Sequence, residues 1–178
     1  MDPALAADAA AIAARAEREL EALVAVSSPS GDIDGAEEAV AVCAALLPPS
    51  ARIERLGCST TGSADDFLAR IAGTGSRRLL LLGHLDTVID HRAHKPLRRE
   101  GDRLYGPGTA DMKGGDVLAL GVARVLAERP ESFAELSVLL VTDEEWRIEP
   151  FVHVARFAHY DACLCFEAGQ LTEDGHEG

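Results

Sequence analysis

The chain has 178 residues, 47% of them apolar, and a formal charge of −13 from 17 Lys and Arg against 30 Asp and Glu. That length and apolar content support one globular domain with a core and argue against disorder. The acidic balance comes without a basic patch, so neither nucleic acid nor an anionic membrane is expected as a partner, and no run approaches the roughly 18 apolar residues of a membrane span.

In chain order, residues 4–27 predict a helix, because Leu5, Ala9, Ile12, Ala16, Leu20, Leu23 and Val24 recur at helical spacing. Ser27-Ser28-Pro29-Ser30-Gly31 breaks it. A second helix is expected over 33–47, ended by Pro48-Pro49. Residues 51–57 and 66–72 read as strands. Arg77 to Gly83 ends in four leucines and reads as a fully buried strand. Residues 91–106 are polar and turn-rich, with a short strand near Arg103-Leu104-Tyr105. A helix follows over 114–128, with Val117, Leu118, Gly121, Val122, Val125 and Leu126 assigned to its inner face. Leu136 to Thr142 is a second buried strand, Val152 to Ala158 a short helix, and Ala162 to Phe166 a third apolar strand. Strands alternating with helices predict an α/β fold with a mostly parallel sheet flanked by helices.

The N-terminus is rich in Ala and Glu and has no apolar signal-peptide core. Cys43, Cys58, Cys163 and Cys165 form no C-x-x-C pair, which argues against a thiolate metal site. Cys163 and Cys165 are expected to be reduced core residues, and a cytoplasmic location fits. His153, His159 and His176 are expected to be ordinary surface or loop residues.

The chemistry is suggested by position. Each apolar run ends in residues of metal-ligand type: His84-Leu85-Asp86 after the first, Asp143-Glu144-Glu145 after the second, Glu167 after the third. In a parallel α/β sheet the functional crevice lies at the carboxyl ends of the strands. His84, Asp86, Glu144, Glu145 and Glu167 are therefore expected at one edge. Asp111 joins them from the glycine-rich turn Gly106-Pro107-Gly108-Thr109-Ala110-Asp111-Met112-Lys113-Gly114-Gly115. Taken singly, each has a plainer use: His84 as a capping residue, Glu144 and Glu145 as an exposed turn, Asp111 as the N-cap of the next helix. Three strand ends and one turn showing ligand types together argue for a cation. Two like charges about 4 Å apart repel by about 4 kcal/mol at an effective dielectric near 20, which a bound metal removes. A His and carboxylate set without thiolate suits zinc, or manganese or cobalt. A two-metal phosphoesterase would gather the same residue types.

Gly83-His84-Leu85-Asp86-Thr87-Val88, the glycine-rich turn, Thr142-Asp143-Glu144-Glu145 and Phe166-Glu167 resemble, in order and spacing, the signature segments of the co-catalytic zinc metallopeptidase family. That family includes glutamate carboxypeptidase, acetylornithine deacetylase, succinyl-diaminopimelate desuccinylase and aminoacylase. Asp102 to Gly108 is most similar to the glutamate-carboxypeptidase-like branch. The resemblance implies a zinc-exopeptidase-like catalytic domain, here incomplete, with residues 1–178 as its N-terminal part. It implies that His84 and Glu167 bind one zinc, that Glu145 binds the other, and that Asp111 bridges both before a cis peptide bond. It implies that Asp86 accepts a hydrogen bond from the His84 ring and that Glu144 is the general base. The substrate would be a small peptide or N-acyl amino acid. The family's second histidine ligand and its smaller lid domain, which often dimerises, have no counterpart in these residues; the full-length form is expected to be a homodimer. The expectation is therefore an enzyme whose 178-residue part has little activity alone. The alternative is a catalytically silent metal-binding or partner-binding remnant. Arg147, just beyond Glu145, could attract a substrate carboxylate, but a solvated arginine is the plainer expectation.

Overall fold

A computed structural model of the chain describes residues 2–167. Two helices come first, α1 (Pro3–Val24) and α2 (Ile33–Leu46). Each begins as its sequence dictates: the Asp2 carboxylate accepts from the Ala4 N–H, and the Asp32 carboxylate from the Gly35 N–H at 2.7 Å. Strands β1 (Arg52–Leu56), β2 (Asp66–Ala72) and β3 (Arg78–His84) follow, then a small hairpin of β4 (Arg98–Glu100) and β5 (Arg103–Tyr105). The chain continues through α3 (Lys113–Ala127), β6 (Glu135–Val141), the single turn α4 (Val154–Phe157) and β7 (Ala162–Cys165). β4 carries no apolar alternation, which is why 91–106 reads as turn with only one strand.

The main sheet has the order β1-β2-β6-β3-β7. β6, β3 and β7 are mutually parallel, whereas β1 and β2 are antiparallel to their neighbours, so the sheet as a whole is mixed. Parallel pairing is thus confined to the three strands that end in His84, Val141 and Cys165.

Alternation along the strands builds two layers. Phe67, Ala69, Ile71, Leu81, Leu136, Val138 and Leu140 pack under α1, α2 and α3 in the main core. Leu68, Leu80, Leu139 and Val141 face the other way, against Phe151, Phe157 and Tyr160. Burying any one of these leucines contributes on the order of 1.5–3 kcal/mol.

Several expectations are corrected here. In α3 the buried face includes Asp116, Ala119, Leu120 and Ala123 beside Val117 and Gly121, and Leu118 points outward at 43% exposure. The helix lies between the sheet and α1, so the small residues that permit both contacts form its inner arc. Cys163 and Cys165 are exposed, because β7 pairs only with β3 among the described strands and both faces stay uncovered. An apolar run is buried only when something covers it. His153 is buried rather than superficial. His159 is exposed, as expected. The reading of His176 lies outside the described residues.

Candidate metal centre

Strand register places the first two residues of the site. Leu82 pairs with Cys165 in β3 and β7, so two residues further along both chains reach His84 and Glu167 at one level. His84 also pairs with Val141, which puts Thr142 to Glu145 just above it on the other side. The buried His84 ring then meets two carboxylates. Its Nε2 lies 2.9 Å from Asp111 Oδ1 and 3.5 Å from Glu167 Oε2. One ligand atom from each of the three falls within 4.8 Å of the others. Ligands about 2.0–2.1 Å from a tetrahedral zinc lie roughly 3.3 Å apart, so this spacing matches a shared ion.

Asp111 reaches the group from its turn. Gly108 has φ of 73°, and a Cβ there would press on the Lys113 side chain. The peptide bond between Asp111 and Met112 is cis, as the resemblance implies. Met112, not Asp111, is the N-cap of α3, and it makes no side-chain capping bond. The plainer use of Asp111 as a helix cap is therefore overturned. Lys113 is buried, with its Nζ donating to the Val26 carbonyl at 2.8 Å and the Leu23 carbonyl at 3.3 Å, which ties the turn to the end of α1. Burial pushes its pKa down to about 8. Gly115 lies so close to the Phe166 carbonyl that a Cβ would overlap it, so α3 directly supports the segment bearing Glu167.

The segment after β6 is anchored residue by residue. The Thr142 N–H donates to Asp66 Oδ1 at 2.8 Å. Asp143 Oδ2 accepts from the Thr60 N–H at 2.7 Å. The Glu144 and Glu145 N–H groups donate to the two oxygens of Asp86, each at 3.0 Å. Asp86 Oδ1 also lies 3.3 Å from His84 Nδ1, and the Asp86 carbonyl oxygen lies 3.1 Å from it. Asp86 therefore orients the ring and holds the two glutamates. Behind this, His153 Nε2 lies 2.8 Å from Asp66 Oδ2. On the other side Ser28 donates to the Leu85 carbonyl and Thr87 to the Ser28 carbonyl, so the break after α1 clamps the His84 to Asp86 segment.

With the backbone fixed, neighbouring side chains diverge. Glu144 lines a cavity of about 210 Å³ with His84 and Glu167. Glu145 lines a different cavity, of about 420 Å³, with Asp111, Thr87 and Gly108.

The electrostatics follow from negative groups gathered around one ring. Burial opposes charge on His84, but Asp86, Asp116 and Asp111 outweigh it and push its pKa up to about 10. Asp86 is shifted down: burial works against its charge, and the His84, Ser30 and Glu145 hydrogen bonds overcome that. Glu145 is shifted up by burial and by the Asp111 charge. Asp116 is pushed well up by burial, and both of its oxygens are buried without a hydrogen-bond partner among the described residues.

All six residues expected at the site sit at this edge: His84, Asp111 and Glu167 in one group, Asp86 behind them, Glu144 and Glu145 on either side. Asp66, His153 and Asp116 escape sequence reasoning. Asp66 opens a strand and His153 lies among Phe151, Val152, Val154 and Ala155, and their meeting at a sequence separation of 87 leaves no local signal.

Residues 80–176 match the model of peptidase family M20/M25/M40. Carboxypeptidase G2 of Pseudomonas sp. (strain RS-16) is 36% identical over 136 residues, covering 71% of this chain and 31% of that protein. A putative succinyl-diaminopimelate desuccinylase of Mycobacterium tuberculosis (strain CDC 1551 / Oshkosh) is 44% identical over 77 residues, covering 43% of this chain and 22% of that protein. Among solved structures, an M20 family metallo-carboxypeptidase from Sulfolobus solfataricus aligns with TM-score 0.69 at 18% identity, covering 90% of this chain and 39% of that one. Human carnosine dipeptidase 1 aligns with the same score and identity, covering 90% and 40%. The fold is that of an M20 peptidase catalytic domain, of which the chain spans part. The chain belongs to peptidase family M20/M25/M40.

Proposed function

We propose that this chain contributes the metal-binding half of an active site that hydrolyses an amide bond in a small peptide or N-acyl amino acid. The observation that carries the reading is the convergence of His84, Asp111 and Glu167 ligand atoms beside the Glu144 cavity. Zinc is the metal assigned. His84, Asp111 and Glu167 would hold one ion, and Asp111 and Glu145 would contribute to a second. A metal so held would lower the pKa of a coordinated water and polarise the amide carbonyl. Glu144 takes a proton from the attacking water and returns it to the leaving nitrogen. Asp86 keeps the His84 Nδ1 proton in place, so that Nε2 faces the metal. Glu145 lies on the opposite side and is free of the proton-transfer role.

The chain spans less than a third of the carboxypeptidase G2 and desuccinylase sequences named above. In the proposal residues 1–178 are the N-terminal part of a zinc-hydrolase catalytic domain, which binds one zinc tightly and turns over little or no substrate alone. The four cysteines are unpaired, which supports a cytoplasmic setting. The test is bound zinc per chain beside Asp111→Ala. A value near one that falls to near zero in the variant supports the reading. A folded parent that binds no zinc sinks it. Turnover of an N-acyl amino acid abolished by Glu144→Ala would support the hydrolase and overturn the claim that this part is silent.

A further inference from the structure

Asp116 has no part in the chemistry described so far, yet it is fully buried, and neither of its oxygens has a hydrogen-bond partner among the described residues. A buried carboxyl left this way costs stability, so its presence calls for a reason. Local structure supplies none. Asp116 lies in the first turn of α3, where a carboxylate can accept free N–H groups, but α3 has no side-chain cap. Lys113 does not need it either, since its Nζ donates to the Val26 and Leu23 carbonyls.

Its position points elsewhere. Oδ1 fills the space over Gly83, the residue before His84: a Cβ on Gly83 would come within 2.1 Å of it, 3.0 Å of Met112 Cε and 3.1 Å of Leu140 Cδ2. The carboxyl is therefore wedged between α3 and β3, among apolar atoms and one residue from the candidate metal ligand. Charges act far through such an interior. The ionisable groups it feels are His84 and Lys113, which favour its charge, and Glu167 and Asp86, which oppose it. Cys43 of α2 shares this interior and is pushed up by its own burial first and by Asp116 second. Burial outweighs all of these at Asp116 and favours its neutral form.

A divalent ion held by His84, Asp111 and Glu167 alters that balance. It adds two positive charges and takes up the Glu167 charge that opposed ionisation. Two features of the fold disfavour such an ion: the positive end of the α3 dipole and the buried Lys113. Asp116, in the same first turn, opposes both. It is not one of the three residues whose ligand atoms converge.

We infer that Asp116 is the buried counter-charge of the metal centre: its carboxyl is neutral in the metal-free chain and gives its proton to bulk water as a divalent cation loads, so that it helps to hold an ion it does not touch. The inference rests on the metal-centre reading above and adds to it a positioning residue that acts through charge alone.

The experiment measures zinc affinity and metal-free urea unfolding in the parent, Asp116→Asn and Asp116→Leu, and follows the Asp116 carboxyl carbon of the parent by NMR near neutral pH. Asparagine keeps the shape and loses the charge; leucine loses the polarity as well. Zinc affinity is expected to fall about tenfold in both variants. Metal-free Asp116→Leu should unfold at the same urea concentration as the parent or a higher one, because an unpartnered polar group has been removed. In the parent the carboxyl carbon should move from its protonated to its ionised position as zinc is added. An Asp116→Asn affinity within about twofold of the parent, or a resonance that does not move, overturns the inference. A carboxyl that only packs α3 against β3 would lower the urea midpoint of both variants with zinc affinity unchanged, which counts against it equally. If neither variant folds, the resonance decides alone. A parent that binds no zinc overturns the metal-centre reading and this inference with it. Zinc bound without movement of the resonance overturns this inference alone.

Discussion

Replacing Asp86 should loosen the glutamate segment without removing any candidate ligand. Its carboxylate accepts the Glu144 and Glu145 N–H groups at 3.0 Å each and lies against His84 Nδ1. A hydrogen bond to a charged group contributes roughly 1.5–3 kcal/mol, so Asp86→Ala removes roughly 3–6 kcal/mol and leaves two backbone donors without their acceptor. Asp86→Asn keeps one acceptor oxygen but turns an amide NH2 toward the other N–H, and should lose about half as much. Against a domain stability of about 5–15 kcal/mol these are large effects. Urea unfolding of the metal-free proteins, followed by circular dichroism, should order them parent, Asn, Ala. Loss of the ring's orienting partner should also weaken zinc binding by about 10–100-fold in both variants. If Asp86→Ala unfolds outright, Asp86→Asn supplies the magnitude. An Asp86→Ala protein within about 1 kcal/mol of the parent would refute the reasoning, since a carboxylate bonded as described cannot be removed so cheaply.

Four other outcomes follow from the same geometry. Without metal, the raised His84 pKa of about 10 means that its charged form stabilises the fold. That contribution is complete below about pH 6.5 and is lost as pH rises through about 10, and His84→Gln should flatten this part of the stability profile. Zinc reverses the sign, because it needs the neutral ring: affinity should fall about tenfold per unit of acidification between pH 8 and 6, with at least one proton released per ion, measured by calorimetry in two buffers. Gly115→Ala should push Phe166 outward and weaken zinc binding although no ligand changes, whereas an unchanged affinity would mean that α3 does not position Glu167. His153→Ala leaves the buried Asp66 without its partner and should destabilise the chain by about 1–3 kcal/mol, seen as a lower urea midpoint and faster proteolysis near residue 150.

Much of the site was legible because strand ends are legible. The run of leucines before His84 and the apolar run before Asp143 each say where a buried strand stops, and a parallel sheet gathers such ends on one edge. The same logic failed at β7, where apolar residues marked a strand but not its burial, since Cys163 and Leu164 are on an edge that no described element covers. It failed again for the face of α3, because helical period alone does not say that α1 also packs against it. His153 and Arg147 carry no local sign of a partner, yet Asp66 in one case and Phe151 in the other are brought to them by the fold.

The sequence by itself determined which side chains can bind a cation and the order in which they leave the strands, because these depend on residue type and local spacing. Tertiary structure decided the rest. Register brought His84 level with Glu167, and the Asp86 carboxylate, 58 residues from Glu144, set the two adjacent glutamates into separate cavities. Such contacts are made between segments far apart in the chain, and a hydrogen bond across that distance exists only once the sheet has formed.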